Sequence, residues 1–327
     1  MKRRILYIIL LLLLVLVADL KAQILPLYSQ YVLNGFMVNP AVAGSDGYTS
    51  FNTTARQQWL GFSEAPRTYS ASWQTRVLKK SYKIINRPVT NDNRLKPSTK
   101  GRVGLGAYLI NDVNANVART GLSFSYAYHI YLGRQQLSFG LAAKAFQYRI
   151  NSSELTFGED GDPVLNGIKT VAYSPDADVG ILFTDASYFV GFSVSNLLET
   201  ALKTGGSDIA GFETPRHYWL MGTYNFRLSD MVELEPGALF KTPEIWDPQG
   251  DITLKVIIDE QFWGGLSYRT DNSMVLLLGV RIDGLFFGYS FDWAFSEIAN
   301  YNYGSHEITL AYKIGDNARR YKWLNRY

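Results

Sequence analysis

The sequence predicts an all-β fold: a transmembrane antiparallel outer-membrane β-barrel of about 14 strands, an even number as single-chain bacterial barrels have. Three observations carry the prediction. Apolar and polar residues alternate with a period of two almost to the end of the chain, while the helical period is nearly absent. The connections between alternating segments are tight on one side and long on the other, the asymmetry of periplasmic turns and extracellular loops. The chain also opens as an exported protein does and carries no second apolar run of spanning-helix length.

Taken in order, residues 1–22 read as a signal peptide. Lys2, Arg3 and Arg4 precede an apolar run from Ile5 to Val17, and Ala22 before Gln23 offers a small residue for cleavage. The other reading of this run is an uncleaved anchor, although it falls short of the ~20 apolar residues that span a bilayer. Residues 23–47 form an N-terminal periplasmic or plug segment. Leu25, Leu27, Tyr28, Tyr31, Val32, Leu33, Phe36, Met37 and Val38 need a surface to bury against. A plug inside the lumen, or a seat against its periplasmic mouth, supplies one. The turn chemistry of Asn39-Pro40 and Gly44 then admits the chain to the wall. Residues 48–314 form the barrel, with strands expected near 48–59, 66–77, 101–111, 117–131, 134–150, 173–184, 187–196, 216–227, 230–241, 251–258, 261–271, 273–282, 284–293 and 305–314. Residues 315–327 make a basic tail, either frayed or bound to a periplasmic partner.

Strand faces decide between a barrel and a sandwich. In 284–293, Leu285, Phe287, Tyr289, Phe291 and Trp293 share one face, and Phe286, Gly288, Ser290 and Asp292 the other. A soluble sandwich gives the same alternation with its apolar side inward. The polar faces here are glycine, serine, threonine and scattered charges, with few lysine-rich solvated stretches, which favours lipid outside and a polar lumen. In that register Glu233, Glu235, Lys255, Arg269, Arg281, Asp283, Asp292, Glu307 and Lys313 face the lumen. Their mixed signs suit cross-strand salt bridges better than an ion-selective pore. Arg56 and Arg67, either side of the turn at 59–62, are expected either as rim charges or as contacts for an anionic partner or lipopolysaccharide. Residues 78–100 break the loop pattern, being long, basic and periplasmic by strand parity. Their Lys79, Lys80 and Lys83, with Arg319, Arg320 and Lys322 of the tail, are candidate partner contacts.

Several chemistries are excluded. A net charge of +3 with 19% charged residues is too balanced and dilute for a nucleic-acid surface. With Cys 0 there is neither a lipoprotein anchor nor a disulfide framework. His129, His217 and His306 are not at metal-ligand spacing. Ser305 and His306 are adjacent strand residues and point to opposite faces, which leaves no catalytic pairing. Gly104 and Gly106 lie in a strand with no following helix, so they form no phosphate loop. The acidic run at 159–162 reads as a solvated surface loop ahead of a weak calcium site. No catalytic, metal or cofactor site is expected, and outer-membrane lipid is an expected partner, consistent with 14% aromatic residues, which favour membrane interfaces.

Two segments, YSQYVLNGFMVNPAVAGSDG at 28–47 and RQQWLGFSEAPRTYSASW at 56–73, resemble the N-terminal signature of the PorP/SprF family of type IX secretion system membrane proteins. The matching residues are Gln30, Tyr31, Asn34, Asn39, Pro40, Ala41, Ala43, Gly44, Arg56, Gln58, Trp59, Gly61, Phe62, Ala65, Pro66 and Thr68. Toward the end, FGYSFDWAFSEI and HEITLAYKI resemble the family's closing strands; Asn34-Gly35-Phe36 and Val42 depart from its usual pattern. The resemblance implies a non-enzymatic outer-membrane component without cofactor, serving protein secretion in a Bacteroidetes-type envelope. It implies anchoring or receiving of the C-terminal signal domains of secreted or surface cargo, some of it gliding adhesins, and linkage to periplasmic and outer-membrane secretion components. The alternative expectation is an outer-membrane transport barrel for small hydrophobic molecules.

Overall fold

A computed structural model describes residues 29, 33–77, 102–132, 135–150, 171–198, 201–204, 207–213, 215–244 and 247–314. Its strands in chain order are β1 (Thr49–Gln57), β2 (Arg67–Val77), β3 (Val103–Asn114), β4 (Val117–Leu132), β5 (Gln135–Ile150), β6 (Val171–Thr184), β7 (Tyr188–Ser195), β8 (Ala201–Thr204), β9 (Ser207–Glu213), β10 (His217–Tyr224), β11 (Phe226–Arg227), β12 (Val232–Pro243), β13 (Gln249–Ile258), β14 (Phe262–Arg269), β15 (Ser273–Ile282), β16 (Leu285–Ala294) and β17 (Ser305–Ile314). β8 and β9 form a hairpin of their own, and β11 is a two-residue extension along β12. The other 14 build one antiparallel wall. It closes where β1 pairs β17, from Thr49 opposite Ile314 to Gln57 opposite His306.

Each expected strand has its counterpart. The expected strand 216–227 is interrupted at Asn225, whose N–H donates to Ser187 O and whose side chain donates to Glu233. β3 runs to Asn114 because the reversal into β4 is tight, with Ala115 at φ 47°. Gln30, Tyr31, Lys79, Lys80, Lys83, Arg319, Arg320 and Lys322, the expected signal peptide and the acidic run at 159–162 lie outside the described residues.

The wall is inverted relative to a soluble protein. On β17, Ser305, Glu307, Thr309, Ala311 and Lys313 are buried inward while Ile308, Leu310, Tyr312 and Ile314 are exposed outward. Inward polar groups satisfy one another across strands, as Thr54 and Thr309 do at 3.1 Å and Thr253 and Ser267 at 2.8 Å. Among the described residues no helix is long and apolar enough to cross a membrane; the outward apolar strand faces do so instead. A lysine at Leu254, outward and midway along β13, is expected to destabilise the barrel by about 2–4 kcal/mol in lipid vesicles, measured as a shift in denaturant midpoint. The same lysine at the strand's end should cost little.

Two lumen and rim assignments change. Asp283 sits exposed in the β15–β16 turn at φ 53°, past the end of the strand; Arg281 keeps its inward face, half-buried over the Phe286 ring and donating to the Asp283 carbonyl. Arg56 is not a rim charge. Within β1 it falls in phase with Asn52 and Thr54 and is buried inside the lumen, where it meets Asp292 and Glu307; Arg67 stays exposed.

Because the wall has an even number of strands, both its ends lie on one face. The turns β4–β5, β6–β7, β13–β14 and β15–β16 are tight there, which marks it as periplasmic. The opposite, outer face carries, among the described residues, the connections at 58–66 and 295–304.

Candidate functional site

The N-terminal segment lies inside the barrel. Two short 3-10 turns, at Gly35–Met37 and Pro40–Val42, keep it compact. Asn39 caps the second by accepting from Ala41 N at 2.9 Å, with Pro40 at the first helical position where its missing N–H is not needed. The same side chain donates to the wall, to Ile181 O at 3.0 Å and Phe192 O at 3.3 Å. Ser193 Oγ donates to Val38 O at 2.7 Å, His129 Nε2 to Ala43 O at 3.0 Å, and Gly44 N to Gln74 Oε1 at 3.1 Å. Apolar packing fills the remaining space: Phe36 meets Tyr108 edge-on at 6.0 Å, and Val38 and Ala41 pack with Leu182, Trp219 and Met221. The wall gives way where the plug presses closest. A Cβ at Gly104 would run into the Ala43 carbonyl, one at Gly140 into the backbone of Pro40 and Ala41, and one at Gly180 into the Asn39 side chain.

Charges fix the plug at both ends. At the outer end, Ser29 N donates to Glu307 Oε2 at 2.8 Å and Ser29 Oγ to Asp292 Oδ2 at 2.7 Å. Arg56 joins the same group, donating to Asp292 at 2.7 Å, Glu307 at 3.1 Å and Ser29 Oγ. Arg269 completes it, bridging Asp251 at 3.2 Å and Asp292 at 3.3 Å. At the periplasmic end Asp46 accepts from Lys313 Nζ at 2.9 Å. Beside the plug, Lys255 pairs with Glu235 at 2.8 Å. The cavity there, lined by Ser29, Leu33, Glu235, Lys255, Trp263 and Leu277 among others, measures about 20 Å³, room for a water and little more.

Above the outer clamp, two loops are joined into one shelf. Leu60 N donates to Gly304 O at 2.8 Å, Tyr303 N to Leu60 O at 2.7 Å, and Trp59 N to Ser305 Oγ at 3.2 Å. The shelf exposes Leu60, Phe62, Tyr301 and Tyr303, the two tyrosines about three-quarters accessible at 74% and 76%.

The motif residues therefore divide between two places that touch. Asn34, Asn39, Pro40 and Gly44 belong to the plug, and Ser72 Oγ donates to Asn34 at 3.2 Å. Gln58, Trp59, Gly61 and Phe62 form the shelf, over buried Ala65 and Pro66. Thr68 donates to Asp112 at 2.7 Å on the adjoining wall. Arg56 joins the two through Ser29. Sequence reasoning placed Asp292, Glu307 and Arg269 in the lumen but did not bring them to the plug, and it missed Asp46, Asp251 and the wall glycines. Isolated glycines at inward positions of otherwise regular strands were the available signal.

The sequence profile of one family, described as type IX secretion system membrane protein PorP/SprF, matches residues 20–312. Among solved structures, the toluene transporter TbuX of Ralstonia pickettii superposes with a TM-score of 0.49 at 10% identity, covering 85% of this chain and 92% of its own. The toluene transporter TodX of Pseudomonas putida gives 0.48 at 8% identity, covering 86% and 93%. CdiB from Acinetobacter baumannii gives 0.43 at 8% identity, covering 81% and 60%. No curated protein matches the chain.

Proposed function

The chain belongs to the PorP/SprF family of type IX secretion system membrane proteins, and on that premise we propose that it is a receiving and anchoring platform. Cargo C-terminal signal domains dock on the outer face, and periplasmic elements, among them the basic stretch at 78–100 and the tail, couple to the secretion machinery. A signal peptide at 1–22 delivers the chain to the outer membrane. The observation that carries this reading is the filled lumen. Among the described residues, a plug bonded to the wall at Ser29, Asn39 and Asp46 leaves the two faces, not the interior, for work on large partners. The shelf is a fixed rather than a floppy outer surface, because its two loops share backbone hydrogen bonds. A non-enzymatic role is part of this proposal, supported by a family described as type IX secretion system membrane proteins.

The test is a pull-down of the tagged protein from its native envelope in detergent. A large secreted protein with a C-terminal signal domain, together with periplasmic secretion components, is the expected catch. Exchanging both Tyr301 and Tyr303 for serine should reduce the cargo at least about tenfold, as loss of two aromatic anchors does at interfaces, and leave the periplasmic components in place. A barrel that brings down only lipid, and that takes up small apolar solutes in liposomes, would replace this reading with the transporter.

A further inference from the structure

We propose that residues 24–28 of this chain leave the lumen by its outer mouth and seat on the shelf as a strap. The surface is the one on which the platform reading docks cargo, but the seat itself does not rest on that reading.

The direction of the plug carries the argument. Followed backward from the wall, it starts at Asp46, held by Lys313 at the periplasmic end of β17. Ala41 and Asn39 come next, against Gly140, Gly180 and Gly191 of β5, β6 and β7. Ser29 bonds to Glu307 and Asp292, close to the outer ends of β17 and β16. The space beneath Ser29 is taken by the plug itself, whose Phe36, Val38 and Ala41 pack against the wall. The cavity beside Ser29, about 20 Å³, admits no returning chain. The polypeptide ahead of Ser29 therefore continues outward.

The shelf stands in its path. Arg56 donates to Ser29 Oγ and lies three residues before Trp59. Trp59 N in turn donates to Ser305 Oγ, two residues outward of Glu307 on β17. That step is about 7 Å along a strand, whereas five extended residues reach about 17 Å. Composition agrees with the geometry. Ile24, Leu25, Pro26, Leu27 and Tyr28 carry no charge and offer apolar surface that water disfavours. Pro26 biases Leu25 toward extended backbone and opposes a helix. Leu60, Phe62, Tyr301 and Tyr303 present the matching apolar seat, on loops that share backbone hydrogen bonds. Gly61, at φ 114°, lets the Tyr303 ring lie over its backbone, where a Cβ would come within 3.2 Å. Cargo that uses the shelf must displace the strap.

The chain has no cysteine, so introduced thiols report alone. In native outer-membrane vesicles L27C/Y301C should close a disulfide under mild oxidation. It is read on a monomer band as lost reactivity toward a polyethylene glycol maleimide, regained on reduction. L27C/L228C, its second site in the periplasmic turn before β12, should not. On intact cells, whose outer membrane excludes the reagent, the thiol of L25C should be labelled from outside. Adding Y301S and Y303S should speed that labelling at least about tenfold, the scale on which aromatic anchors act. No disulfide in L27C/Y301C, an equal yield in L27C/L228C, a thiol that the external reagent never reaches, or a rate indifferent to the two rings would overturn the proposal. The shelf would then be left to cargo or lipid. Cargo retained after such a failure leaves the platform standing without a strap. A strap in place on a protein that retains no cargo removes the platform and keeps the strap.

Discussion

With valine in place of Gly140, the plug is expected to leave its seat and the barrel to conduct. Gly140 faces inward on β5, and an added Cβ would collide with the Pro40 carbonyl carbon and the Ala41 backbone, atoms that cannot rotate away. Valine adds two methyl groups beyond that Cβ. The bonds from Asn39 to Ile181 and Phe192, from Ser193 to Val38 and from His129 to Ala43 all lie within three residues of this contact along the plug. They are lost together when it moves. In planar bilayers the parent protein is expected to be silent and G140V to give discrete openings, with thermal stability lowered by at least the ~1–3 kcal/mol that overpacking costs. A silent G140V with unchanged melting would mean that the plug does not press on the wall at β5.

Removing the Arg56 guanidinium should be the most destabilising single change in the charged layer. Arg56→Met leaves Glu307 without its arginine and leaves Asp292 sharing Arg269 with Asp251. Uncompensated buried carboxylates of this kind cost about 3–5 kcal/mol. Lysine should not rescue it, because the guanidinium reaches Asp292 through Nη2 and both Glu307 and Ser29 through Nη1, a fork that one ammonium does not reproduce. Guanidinium-chloride unfolding in micelles measures the loss. Adding Glu307→Leu to Arg56→Met should restore part of it, since the second change removes the carboxylate the first stranded. A single variant within 1 kcal/mol of the parent, or a double variant weaker than the single, would show that the cluster is not coupled as drawn.

Much of the wall was legible because a barrel in lipid writes its period twice. Outward apolar residues such as Leu285 and Phe287 alternate with inward Ser290 and Asp292, and one-residue errors of register would swap the two faces. The same alternation located the lumen charges of β12 to β17. It failed at Asp283, one residue beyond the expected strand 273–282, and at Arg56, inside the expected strand 48–59 yet read with Arg67 as flanking the turn; a charge close to a strand end reads as rim or as lumen alike. The plug was legible as apolar surface in need of a partner, and Asn39-Pro40 as turn chemistry. Which wall residues receive them was not. Ser29 and Glu307 are 278 positions apart, and only closure of the barrel makes them neighbours.

The two clamps also fix an order of events in folding. Arg56 belongs to β1, and Glu307 and Lys313 to β17, the first and last strands of the wall. The bonds of Glu307 to Arg56 and Ser29, and of Lys313 to Asp46, span 251 to 278 residues of chain. Loop-closure entropy makes contacts of such separation the slowest to form. The strands before the seam can pair as successive hairpins, but the seam brings together strands whose inward faces carry the plug's anchors. A wall that closed around an empty lumen would bury Arg56, Glu307 and Lys313 with part of their hydrogen bonding unmet. Threading of the N-terminal segment and sealing of the barrel are in this way one cooperative, late and slow step, and a molecule that has not completed it retains two unsealed strand edges.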